Sequence, residues 1–418
     1  MTDQFLQNAF LFRQPILNLK QELAGYQLSF RSADESSGNE AGHHQEAAGA
    51  LCAAYADLGM HGALGKTLAF IGITADFLQQ DEIDLLPPQG VVIELLLDGV
   101  PDTATLSRCR NLVDRGYSLA LTDYQGIDDR SRPLLPLVTF IKIHVLDAEQ
   151  RRLQELAGSL RQLPLKLVAQ GVASQGQMER CRKLGFELFQ GRYFAQAELV
   201  SGRHLSASHA ALFRLCNLVG RDVDTEVIED AFKHEPALTL NLLRIVNTVG
   251  NLGNRLAQPI TSLRYAITVL GRRRLQRWLS LLLLAPGNDT ADPIRSPLLQ
   301  VAALRGRMME LLTVIGKPGD RKLADLGFLT GILSMMPSAL GLSIEDILDQ
   351  IAVEREVGSA LRQHDGLLGT LLALLECFDN DDAACCDSVL NRLPGGFDRQ
   401  TLNTSLSTAL RWLNDSSD

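Results

Sequence analysis

Chemistry needs particular side chains at particular spacings, and this sequence offers few of them. Glu94 interrupts the apolar run Val91–Leu97, Asp123 and His144 lie just past the ends of two others, and Lys142 sits inside the last of these. Two carboxylates and an imidazole suit zinc, and the plainer alternative is a histidine held by hydrogen bonds. The pair His43-His44 also invites a metal. Adjacent residues on a helix point in different directions and chelate poorly, so a solvated pair is expected there. His204 and His209 lack partners at ligand spacing. Asp379-Asn-Asp-Asp382 has neither the spacing nor the glycine of a calcium loop and reads as solvated. Arg272, Arg273, Arg274 and Arg277 concentrate positive charge ahead of Trp278. Such a run can meet an acidic partner, another domain or nucleic acid, and a solvated helix face is its commoner meaning.

The elements that must position these residues change character near residue 200. Before it, Tyr26–Phe30, Leu68–Ile73, Gly90–Leu96, Ser118–Leu121, Thr139–Ile143 and Leu165–Ala169 read as strands, with helical stretches such as Thr105–Asp114 and Ala148–Arg161 between them. The alternation predicts a mostly parallel sheet or barrel, and six strands favour a barrel. In a barrel of this kind the chemistry sits at the C-terminal ends of the strands. Ser32–His44 reads as a loop leading into a helix at Ala47–Asp57. Gly202–Ser208 is a small, polar junction.

After the junction the period is helical throughout. Ser208–Val219 and Asp224–Phe232 are expected helices. In Pro236–Val249, Leu238, Leu242, Ile245, Val246 and Val249 form a broad apolar stripe. Gly250–Asn254 is a loop, and Thr261 or Ser262 can cap a helix bearing Leu263, Ala266, Ile267 and Leu270 up to Gly271. Ser343–Leu374 reads as amphipathic helices broken at Gly358 and Gly366, and Thr401–Leu413 as a closing helix. The domains expected are 1–203 and 204–418.

With 418 residues, 46% hydrophobic and 21% charged, the chain can bury two or three ordinary cores. A net charge of −9 argues against a protein that coats nucleic acid. Seven scattered cysteines without CxxC spacing argue against a disulfide framework or a zinc site, and for a reducing cytoplasm. Met1–Arg13 lacks the pattern of a signal peptide, and the run Trp278–Ala285 is too short to span a bilayer.

Taken in series, Arg13–Ile16, Gly25–Arg31, Phe70–Thr74, Val92–Leu96, Leu119–Tyr124, Ile141–His144, Val168–Val172 and Gln190–Phe194 resemble the landmarks of the EAL domain. That family of cyclic di-GMP phosphodiesterases is built on a modified (β/α) barrel and works with two divalent metals. The resemblance covers about residues 10 to 200 and implies a degenerate site. The glutamate that names the family falls at Gln27 and an asparagine ligand at Gly72. The first of two paired aspartates falls at Thr122, leaving Asp123. The aspartate after Lys142 is His144, and two late glutamates fall at Gln170 and Ala173. Glu94, Asp123, Lys142 and Gln190 are retained. Gln14 and Arg31 match residues that contact nucleotide, and arginine offers a bidentate fork to phosphate.

His234–Thr248, Pro259–Ile267 and Leu270-Gly271 resemble the opening of an HDOD domain, an all-helical relative of HD phosphohydrolases without their ligands. In Gly327–Pro337 the His-Asp positions are occupied by Ser334 and Met335. These resemblances imply an α/β barrel of the modified TIM type followed by an all-α domain. They imply a protein that is not an enzyme, carries no cofactor, stays off membranes and nucleic acid, and works through other signalling proteins in the cytoplasm. Cyclic di-GMP held without hydrolysis, a second copy of the chain as partner, and a rearranged phosphodiesterase site around Glu94, Asp123 and His144 stay open beside that reading.

Overall fold

The computed structural model describes residues 9–31, 64–65, 67–97, 99–146, 148–191, 207–221, 223–235, 262–283, 297–350 and 353–415, with single positions at 55, 60 and 193 and a few between 238 and 246. The loop at Ser32–His44, the pair His43-His44, Cys52, His204, the loop Gly250–Asn254 and Thr261 lie outside these residues. So does the expected helix Ala47–Asp57 except for Tyr55, and the junction up to Ser206.

Eight strands close into one barrel in chain order: β1 (Phe10–Asn18), β2 (Leu23–Arg31), β3 (Leu68–Thr74), β4 (Val91–Leu96), β5 (Ser118–Leu121), β6 (Phe140–His144), β7 (Lys166–Val172) and β8 (Leu188–Gly191). β1 runs antiparallel to both β2 and β8, and every other pair is parallel. Two of these strands escaped the count of six. β1 carries Pro15, which cannot donate to a ladder, and shifts register between Ile16 and Leu17. β8 is only four residues long.

Side chains alternate along a strand, so one residue in two faces the barrel interior. Ile16, Phe70, Val92, Ala120, Phe140, Val168 and Leu188 pack together there as an apolar floor. Two residues further toward the C-terminal ends, the same inward face carries Gly72, Glu94, Thr122, Lys142, Gln170 and Gln190. Outside the barrel run α1 (Thr103–Asp114), α2 (Gln150–Leu160) and α3 (Gln175–Lys183). Asp102 caps α1 by accepting from the Thr105 amide at 2.7 Å, and Ser174 caps α3. α2 buries the stripe Leu153, Leu156, Ala157 and Leu160.

Contacts divide the chain into one unit of residues 1–196, 294–300 and 373–418 and another of 197–293 and 301–372. This division differs from 1–203 and 204–418 by placing residues 373–418 with the barrel. The reason is visible in side chains. Asn403, on the helix Arg399–Asp415, accepts from the Leu11 amide at 2.8 Å and donates to the Ala9 carbonyl at 2.9 Å. β8 pairs with β1 only at Ile16–Asn18, so Asn403 bonds backbone that β8 leaves unpaired. Phe378 packs on Phe12, and Asp379 pairs with Arg13. In the same segment Cys377 and Cys385 are disulfide-bonded, a single local bridge where the cysteine spacing argued against a disulfide framework. Asp382 caps Ala383–Leu390 through the Cys385 amide, so Asp379-Asn-Asp-Asp382 is not merely a solvated loop.

Among its described residues the second unit is built from helices and short connections, including Ala207–Gly220, Thr225–Lys233, Leu263–Leu270, Arg272–Leu283, most of Pro297–Gly316, Arg321–Leu333 and Arg355–Gln363. Of Pro236–Val249, the described positions 238, 239, 241–243 and 246 are helical. Ser262 caps Leu263–Leu270 through the Tyr265 amide. Two helices meet backbone to backbone at Gly306 and Gly331, where a Cβ on Gly331 would lie 2.7 Å from the Gly306 Cα. Gly358 does not break its helix; the turn comes at His364, which takes a left-handed φ of 55°. The arginine cluster is not simply solvated either. Arg277 sits between Glu310 and Asp325 at 2.6 Å each, 4.2 Å from the centroid of the Phe328 ring, and Arg273 also reaches Asp325. Among the described residues the stretch Arg321–Leu340 is long and apolar enough to cross a membrane, but most of it is buried in the protein.

Candidate functional site at the barrel mouth

Above the apolar floor, Lys142 donates from Nζ to Glu94 Oε1 and to Gln27 Oε1. Gln27 in turn donates from Nε2 to Glu94 Oε2 at 2.8 Å and to the Phe70 carbonyl at 3.2 Å. The three side chains therefore form a closed ring, with both oxygens of Glu94 and both amide atoms of Gln27 engaged. Lys142 is 1% exposed and Glu94 4%. A buried ammonium is tolerated when it is paired and hydrogen-bonded, and here one positive charge meets one negative while glutamine adds none. The face of Phe70 lies 5.3 Å from Nζ.

A pair of divalent metals needs several anionic oxygens converging on one spot, and the residues present do not fit one. Glu94 is already neutralised. At Gly72 a Cβ would meet Leu96 Cδ1 at 3.0 Å, so a leucine methyl fills the space beside that position. Asp123 stands one residue beyond Thr122 at the end of β5, exposed and with a left-handed φ of 50°, which aspartate adopts more readily than most residues. His144 ends β6, exposed, with its ring against Gly171. Among the described residues no three His, Cys, Asp or Glu side chains cluster to hold a metal. The structure thus brings Gln27, Glu94 and Lys142 together and leaves Asp123 and His144 on the rim. The zinc site of His144, Asp123 and Glu94 is not assembled.

Gln190, 2% exposed, donates from Nε2 to Gln14 Oε1 at 2.6 Å. Its own Oε1 and that of Gln170 are buried without a hydrogen-bond partner. Two amide carbonyls on the inner face therefore lack a donor, which a bound molecule or a water can supply. Thr122 is buried, and Ala173 donates its amide to Gln177 Oε1 at 2.9 Å. Arg31 closes β2 at the mouth, exposed. In the other unit, Ser334 receives Arg305 Nη1 at 2.9 Å and donates to the Gly331 carbonyl, while Met335 is buried. Both have structural work at a helix end.

Two mouth residues escaped the sequence reading. Arg130 donates to the carbonyls of Leu97, Thr122 and Asp123, fastening the loops after β4 and β5. Gln177 bonds the Val145 carbonyl as well as the Ala173 amide, fastening those after β6 and β7. Neither lies in a motif; the one local signal near Gln177 is a serine, Ser174, at a position that can cap a helix.

No family model matches the chain. It is 28% identical over 410 residues to the cyclic di-GMP phosphodiesterase CdgJ of Vibrio cholerae, covering 97% of this chain and 92% of that protein. It is 24% identical over 411 residues to the uncharacterized protein YuxH of Bacillus subtilis, covering 96% and 97%. Similar solved structures include an EAL domain protein from Listeria monocytogenes, at 18% identity and a TM-score of 0.37, covering 46% of this chain and 88% of that one. The EAL domain of Xanthomonas citri FimX in complex with c-diGMP matches at 20% identity and a TM-score of 0.36, covering 45% and 87%. The expectation that the chain is not an enzyme is overturned by its near full-length similarity to a protein named as a phosphodiesterase.

Proposed function

We propose that this YuxH-like chain of the EAL–HDOD type takes cyclic di-GMP at the mouth of its barrel. The similarity to CdgJ over 97% of the chain carries the reading. The mouth supports it chemically. Gln170 and Gln190 put amide groups on its inner face, and amides pair with the donors and acceptors of a guanine edge or a ribose hydroxyl. Arg31 at the end of β2 is the proposed phosphate contact, and Gln14, which pairs in register with Gln27 four residues before Arg31, is the proposed contact in the polar layer. Titration calorimetry of the full chain with cyclic di-GMP, with and without magnesium, tests this. Saturable binding that weakens about tenfold or more in Arg31→Ala, as loss of a charge-assisted bond predicts, is the expected result. No heat at millimolar ligand overturns it.

The name of the same relative favours a second reading, hydrolysis of the bound dinucleotide. Its measure is the appearance of linear dinucleotide with manganese or magnesium supplied. No product at protein concentrations that bind the ligand would end that reading. The helical unit is proposed to pass the state of the barrel to other signalling proteins or to a second copy of the chain. Affinity capture with and without the dinucleotide is its test.

A further inference from the structure

The ring of Gln27, Glu94 and Lys142 has a consequence independent of which molecule the mouth binds. It contains one full positive charge and one full negative charge, both buried, with the amide of Gln27 joining them. We propose that Lys142 stands in this barrel as a built-in cation, and that Gln27 is the residue that makes the polar layer complete without a divalent metal. The reasoning is electrostatic. A carboxylate at position 27 would place two negative charges around one ammonium in a layer sealed below by Phe70, Val92 and Phe140. The uncompensated charge would then have to be met by a second cation. With glutamine, the same shape carries no charge, and its Nε2 supplies a donor that a carboxylate lacks. Leu96 completes the exclusion by filling the space beside Gly72.

The inference is tested on the full-length protein by thermal unfolding with and without manganese or magnesium chloride. The wild-type midpoint is expected to be unmoved by either ion and by chelator. Gln27→Glu is expected to melt lower in chelator, and to recover about 5 °C at a hundredfold excess of ion over its dissociation constant. Lys142→Gln, which also leaves one uncompensated carboxylate, carries the same expectation and serves if Gln27→Glu does not fold. A wild-type midpoint raised by manganese and restored by chelator overturns the proposal, as does a folded variant of either kind that ignores the ion. Failure here leaves the dinucleotide reading intact, since calorimetry with cyclic di-GMP reports on it separately.

Discussion

Glu94 and Lys142 show what a single residue contributes when both members of an ion pair are buried. Their attraction in the barrel offsets the cost of removing two charges from solvent only while both are present. Glu94→Ala is therefore expected to destabilise the protein by about 3–5 kcal/mol, the usual cost of stranding a buried charge, read as a lower urea midpoint. Replacing both together, Glu94→Leu with Lys142→Met, removes the charges and is expected to cost less than Glu94→Ala alone. A double variant less stable than the single one would mean that the ring holds shape, not charge. Cysteine reactivity is a second residue-scale matter. Burial pushes the thiols of Cys109 and Cys181 up to about 11 and those of Cys216 and Cys386 to about 12, with nearby aspartates adding to the rise at Cys386. Only the thiolate reacts, so alkylation of native protein at neutral pH should leave all four unlabelled in peptide maps. Reduction should add label at Cys377 and Cys385.

At the scale of elements, β1 keeps part of its backbone unpaired on the side of β8. It runs against its neighbours, carries a proline, and meets β8 over three residues only. The helix Arg399–Asp415 compensates. Asn403, 2% exposed, gives the Leu11 amide an acceptor and the Ala9 carbonyl a donor. Arg399 lies over Phe10 and forms a two-point pair with Asp387. Asn403→Leu leaves two buried backbone groups unmet, each worth about 1–3 kcal/mol, and should lower the unfolding midpoint accordingly. Hydrogen exchange at Leu11 should accelerate in the same variant. Unchanged protection there would show that the strand does not depend on the helix. This element was half legible: the stripe Leu402, Leu406 and Leu410 announces a helix with one apolar side, but nothing in it says which surface that side meets.

For the whole molecule, the first half of the chain is expected to need the last segment in order to stand as a barrel. Residues 373–418 belong to the same compact unit as residues 1–196. A fragment ending at 203 would expose the free backbone of β1 and the faces of Phe10 and Phe12, which is an aggregation-prone edge. It is expected to elute as aggregate in size-exclusion chromatography, and supplying residues 373–418 in trans is expected to recover soluble complex. A monomeric, cooperatively folding 1–203 fragment would sink that expectation.

The sequence by itself determined the α/β barrel followed by helices, most strand positions, and the chemical identities at the mouth. Those features are local: a period of two or of 3.6, a cap, or a residue at the end of an apolar run. Only tertiary structure decided that Gln27, Glu94 and Lys142 close on one another while Asp123 and His144 stay at the rim, because barrel closure and register set those distances. Only it decided that Leu96 fills the space beside Gly72, that Arg130 and Gln177 fasten the mouth loops, and that the end of the chain seals its first strand. Such pairings join residues as far apart as Leu11 and Asn403, and no periodicity in a sequence reports on a contact of that separation.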